Sequence, residues 1–354
     1  MSFGTYAQDD QVLSSDAVIT PMWTGNSTTL SNYYTSSNQE LSNTGKFFLG
    51  VYNGDSQYTS SIEEQFGIAY GHIYGSGSAY FNALVPTATP TRNVYGQFRS
   101  LIYGDENTAF TFGSSTTTAR DIIVISIDRA RFKESFNPGS FFLTLKSGSA
   151  TIGLVDDSTV TNIATYIGSS RVYQILSGSF NPTLGVSTPS SSAYTVSGSY
   201  GIIIPDEGLI ILNPRALALS VGPLGGIEAI FNEMAPAAAA SFYSTNVQYN
   251  FNNRMMLDMM QAAPTFSLQS YETLSSRYFF TRVKNAEFNY TTNPTIIDDN
   301  GNLLYTQLIY NPQTYITTVG MYNNNGDLLA VAKLNKPLIK DFTKELLLRV
   351  KLDF

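Results

Sequence analysis

A single histidine limits what this chain can do by acid–base or metal chemistry. His72 stands between Gly71 and Ile73 in an apparent strand, so neither a His-pair metal site nor an imidazole relay can form within one chain. With no cysteine present, a disulfide framework and a thiolate metal site are excluded as well. A Ser-His-Asp arrangement needs a serine on a strained turn beside the imidazole, and no Gly-x-Ser-x-Gly elbow occurs. Gly75-Ser76-Gly77-Ser78 has the wrong spacing and reads as an ordinary turn. His72 is therefore expected to be a strand residue with a satisfied ring.

Glycoside hydrolysis would need two carboxyl groups held at a fixed separation across a cleft. The acidic pairs Glu63-Glu64, Asp105-Glu106, Asp156-Asp157, Asp206-Glu207 and Asp298-Asp299 mostly abut turn residues, and adjacent strand positions point to opposite faces. They read as exposed turn carboxylates. Asp298, Asn300 and Asn302, and again Asn323, Asn325 and Asp327, alternate like the start of a calcium loop. The twelfth position, where a bidentate glutamate belongs, holds Ile309 and Leu334. Gly222-Pro223-Leu224-Gly225-Gly226 lacks the Lys-Ser/Thr ending of a phosphate loop. The expectation is no catalytic residue, no cofactor and no metal.

Composition points towards contacts instead. Charged residues make up 13% of the chain, about half the usual share, so polarity must come from Ser, Thr, Asn, Gln and Gly. The net charge of -7 without a dense Lys/Arg run argues against nucleic-acid binding. Strand alternation would set Arg129, Arg131 and Lys133 on one solvated or inter-subunit face. Apolar runs such as 202–204 and 209–212 fall far short of a membrane span of about 20 residues. The opening Met1-Ser2-Phe3-Gly4-Thr5-Tyr6 lacks a signal-peptide pattern, so synthesis in the cytoplasm without membrane insertion is expected. The 22 Phe and 23 Tyr supply enough apolar area for a core and for aromatic contact surfaces.

The elements that carry these residues are mainly strands. Residues 1–45 are polar and turn-rich and read as an extended N-terminal arm, with Trp23 either anchoring it or lying in the core. Residues 46–214 form a β-rich domain: segments at 47–52, 66–74, 122–127 and 141–145 are separated by turns, and 202–204 with 209–212 make a hairpin. Residues 215–264 read as a helical insertion or connector. Asn213-Pro214 opens one helix, a second starts near Gly226, and a third over 253–263 carries Met255, Met256, Met259 and Met260 towards the core. Residues 265–354 return to β structure and pack with the first domain. Asn-Gly turns mark hairpins at 299–302 and 324–327, and Leu346, Leu348, Val350, Leu352 and Phe354 alternate on one face of a final strand. The fold class expected is mainly β with a few short helices, in antiparallel sandwich-like sheets with hairpins.

Several segments resemble a known family. Phe288-Asn289-Tyr290-Thr291-Thr292-Asn293-Pro294, Tyr315-Ile316-Thr317-Thr318-Val319-Gly320-Met321-Tyr322 and Leu328-Leu329-Ala330-Val331-Ala332-Lys333-Leu334 are similar to virion structural proteins of T-even-like myoviruses, especially those infecting cyanobacteria. Ser42-Asn43-Thr44-Gly45-Lys46-Phe47-Phe48, Tyr95-Gly96-Gln97-Phe98-Arg99 and the ending Arg349-Val350-Lys351-Leu352-Asp353-Phe354 add to the resemblance. It implies a structural subunit of a tailed-bacteriophage virion, best placed in the contractile-tail baseplate and comparable to its dimeric wedge subunit. Neck, fibre-attachment and head-surface positions are alternatives. It also implies synthesis in the host cytoplasm, other virion proteins as partners, a homo-oligomer or symmetric multi-copy assembly, and no catalytic residues. A receptor- or glycan-binding module of the tail is the second reading, and a wall-degrading enzyme the third. Trp23, Tyr33, Tyr34 and Phe354 are the candidate contact residues, chosen from the arm and the final strand.

Overall fold

The computed structural model describes residues 6–35, 47–55, 62–75, 89–113, 118–161, 165–191, 193–221, 251–291 and 293–353. The fold is mainly β, with antiparallel sheets and few short helices, as expected. In chain order the strands and helices are β1 (Gln11–Pro21), β2 (Thr29–Leu30), β3 (Leu49–Tyr52), β4 (Glu64–His72), α1 (Pro90–Tyr103), β5 (Asp121–Ile127), β6 (Ser135–Phe136), β7 (Phe142–Ser147) and β8 (Ala150–Asp156). Then follow β9 (Thr165–Ile167), β10 (Ser170–Asn181), β11 (Val186–Pro189), β12 (Gly201–Ile204), β13 (Leu209–Leu212), α2 (Pro214–Val221) and α3 (Phe251–Gln261). The chain finishes with β14 (Phe266–Ser267), β15 (Gln269–Val283), α4 (Gln307–Tyr310), β16 (Thr314–Tyr322), β17 (Leu328–Lys340) and β18 (Leu346–Asp353).

Two compact units share these elements. The larger runs from Val18 to Glu272, and the smaller joins Met1–Ala17 to Thr273–Phe354. In the larger unit one antiparallel sheet has the order β2-β14-β7-β8-β10-β12-β13-β5-β4-β3, with β9 and β11 attached to β10. It curls into a half-barrel. Near its two ends, Phe66 of β4 and Phe266 of β14 approach to 5.5 Å between ring centroids, and the Trp23 ring lies 4.8 Å from Phe266. Tyr34 and Tyr52 exchange backbone hydrogen bonds of 3.1 and 2.9 Å, tying the segment after β2 to the end of β3.

The central strands are buried on both faces. Ile123, Ile125 and Ile127 of β5, with Ile203, Ile210 and Leu212, point into the concave core beside Leu257, Met256 and Met260 of α3. Ile122, Val124, Ile202, Ile204, Leu209 and Ile211 point outward into a second cluster beneath α1, with Val94, Tyr95 and Ile102. Two-sided burial removes the need for polar alternation, so 122–125 and 209–212 read as unbroken apolar runs, and the exposed Ser126 interrupts the first before Ile127. Helix α1 is absent from the sequence expectation. Thr89 precedes Pro90 at its first position, and Gly104 ends it at φ +66°. Its β-branched and aromatic content and Gly96 weaken intrinsic helix propensity; packing on the sheet compensates. Gly71 makes that packing possible, since a Cβ there would lie 2.8 Å from the Tyr95 backbone nitrogen.

Four sequence expectations need correction. The N-terminal segment is extended, but β1 is a paired strand beside β15 and not a free arm. Arg129–Arg131 is a 3-10 turn, which removes the strand alternation assumed for Arg129, Arg131 and Lys133. The turn at 299–302 closes only the isolated bridge Ile297↔Leu303 and joins no long strands. Asp156 and Asp157 are buried, because the end of β8 runs under the β10–β11 hairpin. The expected helix near Gly226 lies outside the described residues.

Candidate interaction surface

The residues considered for chemistry do not converge. His72 is buried in β4, and its Nδ1 accepts the Tyr74 N–H at 3.1 Å. Glu63 pairs with Arg131 at 2.7 Å and Asp206 with Arg171 at 3.0 Å. The Thr108 and Asn107 hydrogen bonds on Asp105 hold its carboxyl below the usual range. In the two calcium-like loops the side chains serve the turns themselves. Asp298 accepts N–H groups of Asn300 and Asn302, and Asn323 accepts those of Asn325 and Asp327. Among the described residues no group of three or more His, Cys, Asp or Glu side chains is arranged to hold a metal ion.

Of the candidate contact residues, Trp23 and Tyr33 belong to the core of the larger unit, at 2% and 5% exposure. They are withdrawn as contact residues, because side chains this buried cannot meet a partner. Tyr33 donates its hydroxyl hydrogen to the Leu30 carbonyl at 3.1 Å, and burial raises its phenol pKa. Tyr34 is exposed, and Phe354 lies outside the described residues.

Exposed large hydrophobics occur in both units, and they are densest in the smaller one. There β1, β15 and β18 form one sheet, and β16 and β17 pair only with each other among the described residues. Alternation decides what the β16–β17 ribbon buries. Val319, Met321, Ala330 and Ala332 pack on Phe279, Val350 and Leu352 of the sheet. Gly320, Tyr322, Leu329 and Val331 face the other way, and Leu329 and Val331 are 68% and 59% exposed. Across the ribbon Gly320 opposes Val331, and the Tyr322 ring folds over Gly320, where a Cβ would lie 3.0 Å from it. Nearer the base, Tyr315 faces Ile339 as an exposed cross-strand pair.

A buried cation braces the base of the ribbon. Lys340 is fully buried, and its Nζ donates to the Asn285 carbonyl at 2.9 Å, to Asn289 Oδ1 at 2.7 Å and to the Asp341 carbonyl at 2.9 Å. All three ammonium hydrogens are thereby used. They clamp a loop in which Phe288 adopts φ +54°, an uncommon conformation for a bulky side chain. Thr314 at the start of β16 donates its hydroxyl to the Phe288 carbonyl. The loop thus presents Phe288 and Tyr290 to solvent at 47% and 56% exposure, close to the Tyr315–Ile339 pair.

The smaller unit is apolar on the outside and thin on the inside. Its buried hydrophobic residues are Phe279, Val283, Met321, Leu348 and Val350. Tyr305, Ile309, Tyr310, Phe342 and Leu347 join the ribbon residues among its exposed large hydrophobics. A two-stranded ribbon is marginal in water unless a face is covered, and contiguous exposed apolar surface marks interaction sites. The sequence signal was the Asn-Gly turn at 324–327, which marks a hairpin whether its faces are covered or bare. No protein-family model, curated protein or solved structure matches the chain.

Proposed function

We propose that this chain is a non-catalytic assembly subunit whose smaller unit is completed by neighbouring protein in a tailed-phage virion. The observation that carries the reading is the mismatch in that unit. It buries few hydrophobic side chains and exposes many, along a ribbon rigidly braced at its base by Lys340. Tyr and Phe at such a surface supply large contact area at low entropy cost, and unpaired ribbon edges offer backbone donors and acceptors to an added strand. The virion and baseplate assignment draws on the resemblance of 288–294, 315–322 and 328–334, which are this same loop and ribbon.

The test replaces the native chain with a Leu329→Lys/Val331→Glu variant during particle assembly. Both side chains point to solvent, so the variant should fold and melt like the native protein. It should be missing from purified particles. Incorporation at the native level would contradict the proposal.

A further inference from the structure

The larger unit carries a second, separate feature on the convex face of its sheet. Outward positions on β4 are small, Gly67, Ala69 and Gly71, and they oppose Ser126, Val124 and Ile122 on β5. Over Gly71 the small residue is required by α1. Over Gly67, among the described residues, a Cβ would meet only Phe48 Cδ2, at 3.9 Å. The space left open is a groove of about 560 Å³ with Gly67 and Ser126 on its floor and Phe98 and Phe132 in its walls.

Three carboxylates, Glu64, Asp128 and Glu207, line the same groove, and Glu207 accepts the Ser170 hydroxyl. Asp128 accepts the Ala130 N–H, and neither it nor Glu64 has an ion-pair partner among the described residues. Partial burial, and then the negative charge of Asp128, hold the Glu64 carboxyl above its ordinary range. The one cation in the lining, Arg129, is engaged with Phe132 and not with Glu64 or Asp128. Its guanidinium lies 4.6 Å over the Phe132 ring and donates to the Phe132 carbonyl at 2.5 Å.

We infer that this groove is a docking site for a partner-protein segment that inserts an arginine beside Phe98 to meet Glu64 and Asp128. Charge complementarity selects the occupant. Two adjacent unpaired carboxylates favour a cation, and aromatic walls favour a flat, weakly hydrated guanidinium over a neutral side chain. The floor of Gly67 and Ser126 leaves room for the segment's backbone. The inference does not depend on the ribbon, which lies in the other unit, so either can fail alone.

The test uses the full chain and two fluorescein-labelled peptides, Ac-Gly-Leu-Arg-Leu-Gly and the same peptide with citrulline, the neutral analogue of arginine. Fluorescence anisotropy should give saturable binding of the arginine peptide, at least about tenfold weaker for citrulline and weakened by added salt. Glu64→Gln/Asp128→Asn should remove the preference for arginine. Gly67→Val, whose side chain points into the open groove, should keep the native circular dichroism and melting temperature while losing binding. Equal binding of the two peptides, binding undiminished in folded Gly67→Val, or no saturable binding of either peptide would overturn the inference.

Discussion

Asp156 gives the larger unit a pH-dependent stability of definite sign. Its carboxylate is 1% exposed and accepts hydrogen bonds from the Gly139 N–H at 2.7 Å, Ser158 Oγ at 3.1 Å and Ser187 Oγ at 3.2 Å. No cation offsets the burial, which pushes its pKa up from 3.8 to about 6. The surroundings suit the protonated form. Ser187 Oγ also lies 3.0 Å from the Gly139 carbonyl, so a proton on Asp156 Oδ1 can be donated to Ser187, whose own hydrogen then goes to that carbonyl. The folded chain therefore holds this proton more tightly than the unfolded chain. Its stabilisation is fully present below about pH 4 and is lost as the pH rises through about 6. At roughly 1.4 kcal/mol per pH unit, the loss is about 3 kcal/mol.

Asp156→Asn should abolish that loss. An asparagine can keep its oxygen on the Gly139 N–H and donate from its amide to Ser187, imitating the protonated acid. Urea titrations from pH 4 to 7.5 can follow Trp23, the sole tryptophan and a core residue of the same unit. The stability of the variant minus that of the native protein should rise by about 3 kcal/mol across this range; any constant offset cancels. Asp157, whose carboxyl is also raised by burial, is present in both proteins, so its own burial cancels and only its coupling to Asp156, the last of the causes acting there, enters the difference. A difference that stays flat, or that falls with pH, would refute the reasoning.

Other expectations test the packing. Val350→Asp places an unpaired charge at a site 7% exposed against Phe279 and Met321, and should cost more than about 3 kcal/mol, read as accelerated amide exchange over 273–353. Lys340→Met leaves the oxygens of Asn285, Asn289 and Asp341 without their shared donor, and should destabilise the smaller unit by about 2–4 kcal/mol in urea titrations followed by amide exchange. Gly71→Ala drives a methyl into the backbone of α1 and should lower stability by about 1–3 kcal/mol in the Trp23 titration.

The sequence was legible where burial leaves a local pattern. Two-sided packing turns β5 and the strands of the β12–β13 hairpin into near-continuous apolar runs, and one-sided packing gives β18 its alternation. The Asn213-Pro214 start of α2 reads correctly because Asn213 accepts the Ala216 N–H, a purely local contact. Non-local pairing leaves no such mark. Nothing in 11–21 announces that β1 pairs with β15, more than 250 residues later, or that Trp23 and Tyr33 fold under Phe66. Helix α1 was missed because the sheet, and not its own propensity, holds it. For the candidate surface, the turn that closes the ribbon was readable, but which face lacks a cover is a property of the tertiary structure.

The most direct test of the account is hydroxyl-radical footprinting of the free protein against the same chain in purified particles. Phe288, Tyr315, Tyr322, Leu329 and Val331 should be oxidised in the free protein and protected in the particle, while exposed Leu184 and Val196 of the larger unit serve as references. Equal oxidation of the ribbon in both states, or absence of the chain from particles, would contradict the claim that this surface is built for assembly.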